Sequence, residues 1–214
     1  MKSGMFIVFE GIDGAGTTTQ TKLLADWFQE KCLAAHLTWE PSPGRIGRMI
    51  REYLAGEVDV PDADRHYHSL ALLFAADRLD HLAREVEPRL REGTHVISDR
   101  YALSSLVYQS LHCDPSWVRS INHEAIRPHV TFLLDVPVEA ALTRLARRNL
   151  FTISEIYETE EQLTKIRDLY LKAARELVSE HNIIVIDGGA GVEEVRRQVL
   201  IQLEPRLAAF TEVD

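Results

Sequence analysis

The sequence predicts an α/β fold, a parallel β-sheet with helices on both faces. Three observations predict it. Short apolar runs alternate with long amphipathic stretches. The runs show little alternation of polar with apolar residues, as suits strands covered on both sides. Several runs end on acidic residues or glycine. The expected strands are residues 5–9, 37–39, 95–97, 130–136 and 182–186. The expected helices are 18–34, 44–54, 65–91, 103–111, 139–147, 160–179 and 192–208. Such alternation implies βαβ units. Spacing does not give the strand order.

The first run is too short for a signal-peptide core or a membrane span, and it stops at Glu10-Gly11 as a buried strand does. Between it and the first helix lies Gly11-Ile12-Asp13-Gly14-Ala15-Gly16-Thr17-Thr18-Thr19. The pattern Gly, four residues, Gly, Lys, Ser or Thr is met at Gly11, Gly16 and Thr18. In such a loop glycines turn successive amides inward as an anion nest, the helix N-terminus adds partial positive charge, and the hydroxyl binds magnesium. The lysine position holds Thr17. A glycine-rich strand-to-helix turn also occurs as plain structure, and the loop alone leaves both readings open.

The five lysines are Lys2, Lys22, Lys31, Lys165 and Lys172. Lys22, five residues past Thr17, is rotated by roughly 140° and displaced by about 7.5 Å along a helix, so it is expected to point away from bound phosphates. Arginines are better candidates. Arg144, Arg147 and Arg148 sit at the end of the helix expected over 139–147, with Arg148 just past it, ahead of the loop-like stretch 149–154. An arginine-bearing lid would neutralise developing phosphoryl charge. The same arginines also suit a helix C-terminus, whose dipole favours cations.

Later strands repeat the pattern of the first. Polar residues follow at Glu40-Pro41, Asp99-Arg100 and Asp187-Gly188. Ligands of open parallel sheets bind beyond the carboxyl ends of strands, so four such endings favour one composite site. Asp and Gly also favour ordinary turns. The 214 residues suffice for a single domain with a full core, and the composition, 45% hydrophobic and 27% charged, is that of a globular protein. A net charge of −9 argues against nucleic acid and acidic membranes as partners, so an anionic ligand must be held by local amides and placed arginines. Two distant cysteines, Cys32 and Cys113, argue against a disulfide framework or zinc site and for a cytoplasmic setting.

In order and spacing, the sequence resembles the thymidylate kinase family along nearly its whole length. The resemblance is carried by Phe9 to Gly16, Glu40-Pro41, Phe74 to Arg78, Asp99-Arg100-Tyr101, Ser104-Ser105 with Tyr108-Gln109, and Leu133 to Pro137. It implies a P-loop fold of the nucleoside monophosphate kinase type, with a five-stranded parallel sheet. It further implies one domain over 1–214 with a small lid around 144–160, a homodimer, and magnesium-dependent transfer of the ATP γ-phosphate to dTMP. Residues 11–19 are then the ATP-binding loop, and Thr18 with Asp99 hold the metal. Asp99, Arg100, Arg147 and Arg148 become the catalytic set. Arg100 grips the acceptor phosphate, Asp13 receives the sugar 3′-hydroxyl, and Tyr108 crowds the ribose 2′ position. Phe74 stacks on the base, Arg78 donates to a base carbonyl, Ser105 and Gln109 read the base edge, and Glu40 borders the acceptor.

Helix spacing puts Phe74 and Arg78 on one face. An isolated Phe there reads equally as core, whereas a buried guanidinium needs a partner. Ser105 and Gln109 also suit an exposed helix face. The chain departs from the family at Thr17, at Trp39 and Ser42-Pro43-Gly44-Arg45, and at Leu150-Phe151-Thr152-Ile153. These departures keep two alternatives open, a kinase for another pyrimidine nucleotide and a silent nucleotide-binding protein.

Overall fold

The computed structural model describes residues 3–58, 62–148 and 159–213, with the side chains at 63, 148 and 211–213 excepted. Strands β1 (Phe6–Gly11), β2 (Ala35–Trp39), β3 (His95–Asp99), β4 (Val130–Asp135) and β5 (Ile183–Asp187) form one parallel sheet in the order β2-β3-β1-β4-β5. The expected fold class is met, and pairing supplies the order. β1 is central, with Phe9 opposite Asp99 of β3 and Gly11 opposite Leu134 of β4. All six residues of β1 are buried. Ile7 and Phe9 enter the larger core while Phe6 and Val8 enter a second cluster on the opposite face, which explains the run without polar alternation. β1 and β3 extend further than expected, because Glu10 and Asp99 still pair within the sheet.

The helices are α1 (Thr17–Glu30), α2 (Arg45–Leu54), α3 (Ala63–His81), α4 (Glu87–Arg91), α5 (Ala102–Tyr108), α6 (Pro115–Ile121), α7 (Val138–Arg148), α8 (Glu160–Glu176), α9 (Val178–His181) and α10 (Val192–Val213). α1 buries Gln20, Thr21, Leu24, Trp27 and Phe28, a single stripe at three- and four-residue spacing. α8 does the same with Leu163, Ile166, Tyr170, Ala173 and Ala174, behind a Thr159 cap.

The single helix expected over 65–91 is instead α3 and α4 joined by a wider turn at Leu82–Val86. Pro88 has no N–H for the carbonyl four residues back, so the regular ladder is interrupted there. α6 was not anticipated. Its signal is present, however: Asp114 accepts from the amides of Ser116 and Trp117 at 2.9 and 3.0 Å, and Pro115 opens the helix.

Of the lid expected around 144–160, residues 149–158 lie outside the described residues. Among the described residues no helix is long and apolar enough to cross a membrane.

Candidate active site

A cavity of about 870 Å³ opens at the carboxyl ends of β1, β2 and β3. It is lined by the phosphate loop on one side and by Glu40, Phe74, Arg78, Ser105, Tyr108 and Gln109 on the other, with Asp99 and Arg100 between. Residues spread over more than 130 positions thus converge, and every side chain expected to meet the acceptor faces one space.

The loop's glycines are required by backbone geometry. Gly14 and Gly16 have φ of +81° and +95°. A β-carbon on Gly14 would lie 2.6 Å from the Ala141 carbonyl oxygen of α7. Ile12 and Ala15 are buried, and the Ala15 amide is engaged by the Ile12 carbonyl at 3.0 Å. Thr17 is buried, whereas Thr18 and Thr19 are exposed. Thr18 Oγ1 donates to Asp99 Oδ2 at 2.5 Å, and Asp99 Oδ1 is buried with no hydrogen-bond partner among the described residues. An orphaned carboxylate oxygen beside a hydroxyl fits a magnesium shell. The metal would complete that shell with phosphate oxygens and water, since among the described residues no group of three or more His, Cys, Asp or Glu forms a cage.

Besides Arg100, Arg144 reaches the loop. Its Nη1 donates to the carbonyls of Ala15 and Gly14 at 3.2 and 3.4 Å, and its Nη2 to Gly188 O at 3.0 Å. Arg147, expected to act on the phosphates, is exposed and does not line the cavity. Arg147 stands three residues on, one turn further from the loop, and its side chain ends in solvent. The side chain of Arg148 lies outside the described residues. Lys22, expected to point away from bound phosphates, lines the cavity. The cavity extends along α1 past Thr21, and a four-carbon stem reaches it.

Arg100 sits beyond β3 with φ of +75°. Its Nη2 donates to Asp13 Oδ1 at 2.7 Å, and its Nη1 to Tyr108 and Tyr170 hydroxyls at 3.1 and 3.0 Å and to the Gly11 carbonyl. Tyr108 in turn donates to Asp13 Oδ2 at 3.1 Å. Burial works against the guanidinium charge, and the oxygens of Tyr108, Tyr170, Asp13 and Glu10 overcome it, so Arg100 holds its proton more tightly than a free arginine.

Behind Arg100 lies Glu10, fully buried. It accepts from the Tyr101 amide at 2.9 Å, from Ser104 N and Oγ at 3.1 and 2.5 Å, and from Tyr170 OH at 3.0 Å. Burial pushes its carboxyl up from 4.5 to about 7, against the pull of Arg100 and of the bonds from Ser104 and Tyr170. The folded chain therefore keeps a proton that the unfolded chain releases near 4.5, and stability contributed at this site falls as pH rises from 4.5 to 7. That interval corresponds to roughly 3 kcal/mol. Urea unfolding of Glu10→Gln and the unmodified chain at several pH values is expected to show the difference shifting toward the variant by up to that amount across this window. A difference independent of pH would contradict the shift.

Arg78, fully buried, pairs with Glu40 Oε2 at 2.8 Å, donates to Ser105 Oγ at 2.9 Å and also bonds Asn122 Oδ1. The partner expected from a base is therefore largely provided by the protein, and only Nε is left without one among the described residues. Phe74, half-buried, lines the cavity rather than the core, and Gln109 Oε1 is buried there without a partner. Ser105 and Gln109 are thus inside the site, not on an exposed helix face. Asp77 takes both the amide and hydroxyl of Ser42 at 2.7 and 2.6 Å, which fixes the chain just after Glu40-Pro41.

The model of the family described as Thymidylate kinase matches residues 9–199. The chain belongs to the thymidylate kinase family. It is 42% identical over 202 residues to a probable thymidylate kinase of Methanocaldococcus jannaschii, covering 94% of this chain and 96% of the relative. It is 41% identical to one from Thermococcus kodakarensis and 39% identical to one from Pyrococcus horikoshii, each match covering 95% of this chain and 98% of the relative. These relatives share one name, so neither alternative left open by the sequence finds support among them.

Family membership does not itself assign residues. Glu10, Tyr170 and Asp77, and Arg144 in preference to Arg147, were not singled out by sequence reasoning. Only Glu10 had a signal, an acidic residue directly after an unbroken apolar strand.

Proposed function

We propose that the chain transfers the γ-phosphoryl group of ATP to dTMP, giving dTDP and ADP. The observation that carries this reading is the joining, in one cavity, of a phosphate loop and a pocket with a pyrimidine's chemistry. That pocket holds a half-buried aromatic ring, Phe74, and an unpartnered amide oxygen on Gln109, suited to an imide N–H.

The loop amides and the α1 N-terminus cradle the ATP phosphates. Magnesium, held by Thr18 and Asp99, neutralises phosphate charge when bound. Arg100 grips the acceptor phosphate by its free edge while Asp13 and the two tyrosines fix its other donors. Asp13 also borders the acceptor sugar, and Tyr108 the 2′ position. Positioning and electrostatics supply the catalysis, with no covalent intermediate. Arg144 takes the place of the missing lysine as the cation at the loop. Exposed Leu72 and Leu79, seven apart on α3, are consistent with a homodimer, and the two free cysteines with a cytoplasmic enzyme.

A coupled ADP-release assay over dTMP, dUMP, CMP, UMP, GMP and AMP is expected to give the highest kcat/KM for dTMP. A preference for AMP or GMP would overturn the assignment.

A further inference from the structure

Arg100 needs a fixed orientation to meet a phosphate, yet its own backbone lies in the left-handed region and its side chain is partly open to the cavity. Its orientation is set from behind. Tyr170 of α8 reaches under β1, 160 residues away in sequence, and its hydroxyl lies 3.0 Å from Arg100 Nη1, 3.0 Å from Glu10 Oε2 and 2.8 Å from Ser104 Oγ. With its one hydrogen given to Glu10, the Tyr170 oxygen is turned to accept from Arg100.

We infer that Glu10 and Tyr170 are positioning residues for acceptor binding: the carboxylate orients the Tyr170 and Ser104 hydroxyls, and Tyr170 in turn locks the Arg100 guanidinium. This inference rests on the proposed role of Arg100.

The arrangement is hard to account for as fold stabilisation alone. The amides of Tyr101 and Ser104 both point at Glu10 Oε1, and the hydroxyls of Ser104 and Tyr170 both meet Oε2, in a place where burial opposes ionisation. A buried amide or apolar residue would tie β1 to α5 without that opposition. The groups facing Glu10 are Tyr101 and Ser104 at the start of α5, Arg100 after β3 and Tyr170 on α8; the next charged group outward is Asp13, across Arg100. Protonating Glu10 gives it a hydrogen to donate to Tyr170 or Ser104. The Tyr170 oxygen is then shared between Glu10 and Arg100, and the lock loosens. Of the phosphate loop, Gly11 and Asp13 bond to this cluster, both through Arg100, so ATP binding is expected to be insensitive to it.

The test is Tyr170→Phe in the full chain, with Thr131→Val as a control that removes a different buried hydroxyl, bonded to His181 O at 2.7 Å at the far end of β4. Calorimetric titration with dTMP and with Mg-ATP, together with steady-state KM and kcat, separates the possibilities. Tyr170→Phe is expected to weaken dTMP binding and raise the dTMP KM about tenfold, the loss of roughly one charge-assisted hydrogen bond. ATP affinity should be unchanged, and Thr131→Val should move neither. Ser104→Ala, expected to act about threefold in the same direction, replaces Tyr170→Phe if that variant does not fold. If the unmodified chain phosphorylates dTMP and the variant leaves dTMP binding unaltered, or weakens ATP equally, the positioning role is wrong. If the unmodified chain neither binds nor phosphorylates dTMP, the proposed function fails instead.

Discussion

Arg100→Ala is expected to lower kcat/KM for dTMP by between about 30-fold and 3,000-fold, while the KM for ATP stays within about twofold. The range follows from the cost of truncating one partner of a buried, hydrogen-bonded charge set, about 2–5 kcal/mol at 1.4 kcal/mol per decade. Two effects add. The acceptor phosphate loses its guanidinium, and Asp13, held by Arg100 at 2.7 Å, is left as an uncompensated carboxylate beside an incoming dianion. The left-handed backbone is common to arginine and alanine at this position, so strain does not enter the comparison. Arg100→Lys should recover only a small part, because an ammonium has no planar fork to satisfy Asp13, two tyrosine hydroxyls and a phosphate together. Steady-state kinetics with each substrate varied in turn checks the prediction. Equal losses for dTMP and ATP would mean that Arg100 holds the site together rather than the acceptor.

The second large effect concerns the loop without a lysine. Arg144→Ala is expected to lower kcat by 100-fold or more, on the order of the contribution of cations that stabilise a transferring phosphoryl group. In a Thr17→Lys background the same substitution should cost much less, because the lysine supplies a cation at the loop directly. This non-additivity is the informative quantity. A double-mutant cycle on kcat, with ATP binding measured for each variant, reads it. Equal losses from Arg144→Ala in both backgrounds would show that Arg144 merely ties α7 to the loop and to Gly188.

Much of the site was legible because its chemistry is local in sequence. The loop declares itself through the spacing of Gly11, Gly16 and Thr18, and the φ of +95° at Gly16 shows why glycine suits that place. Phe74 and Arg78 are one helical turn apart, so their shared face followed from geometry, and Ser105 and Gln109 likewise.

Side-chain partners across the fold were not legible. Tyr170 reads as one more apolar position of an amphipathic helix, since its ring is buried with Ile166 and Ala173, and nothing in that spacing tells where its hydroxyl goes. Glu10 reads as a strand-end turn residue and is instead the most enclosed carboxylate of the site. Arg144 and Arg147 were equivalent as sequence; only the approach of α7 to Gly14, close enough to exclude a β-carbon, decides which of them meets the loop. Arg78 was given a ligand as partner because a buried guanidinium needs one, and the pairing with Glu40 depends on β2 ending beside α3, which strand order controls.

The central claim is that a phosphate loop carrying Thr17 still performs phosphoryl transfer to a thymine nucleotide. The most direct measurement mixes the unmodified chain with γ-labelled ATP, magnesium and dTMP, quenches over time and resolves the nucleotides. The predicted result is label appearing in dTDP over many turnovers per chain, in step with ADP, and abolished by omitting dTMP or magnesium. Labelled ATP recovered intact while bound to the protein, with no dTDP at any time, would contradict it.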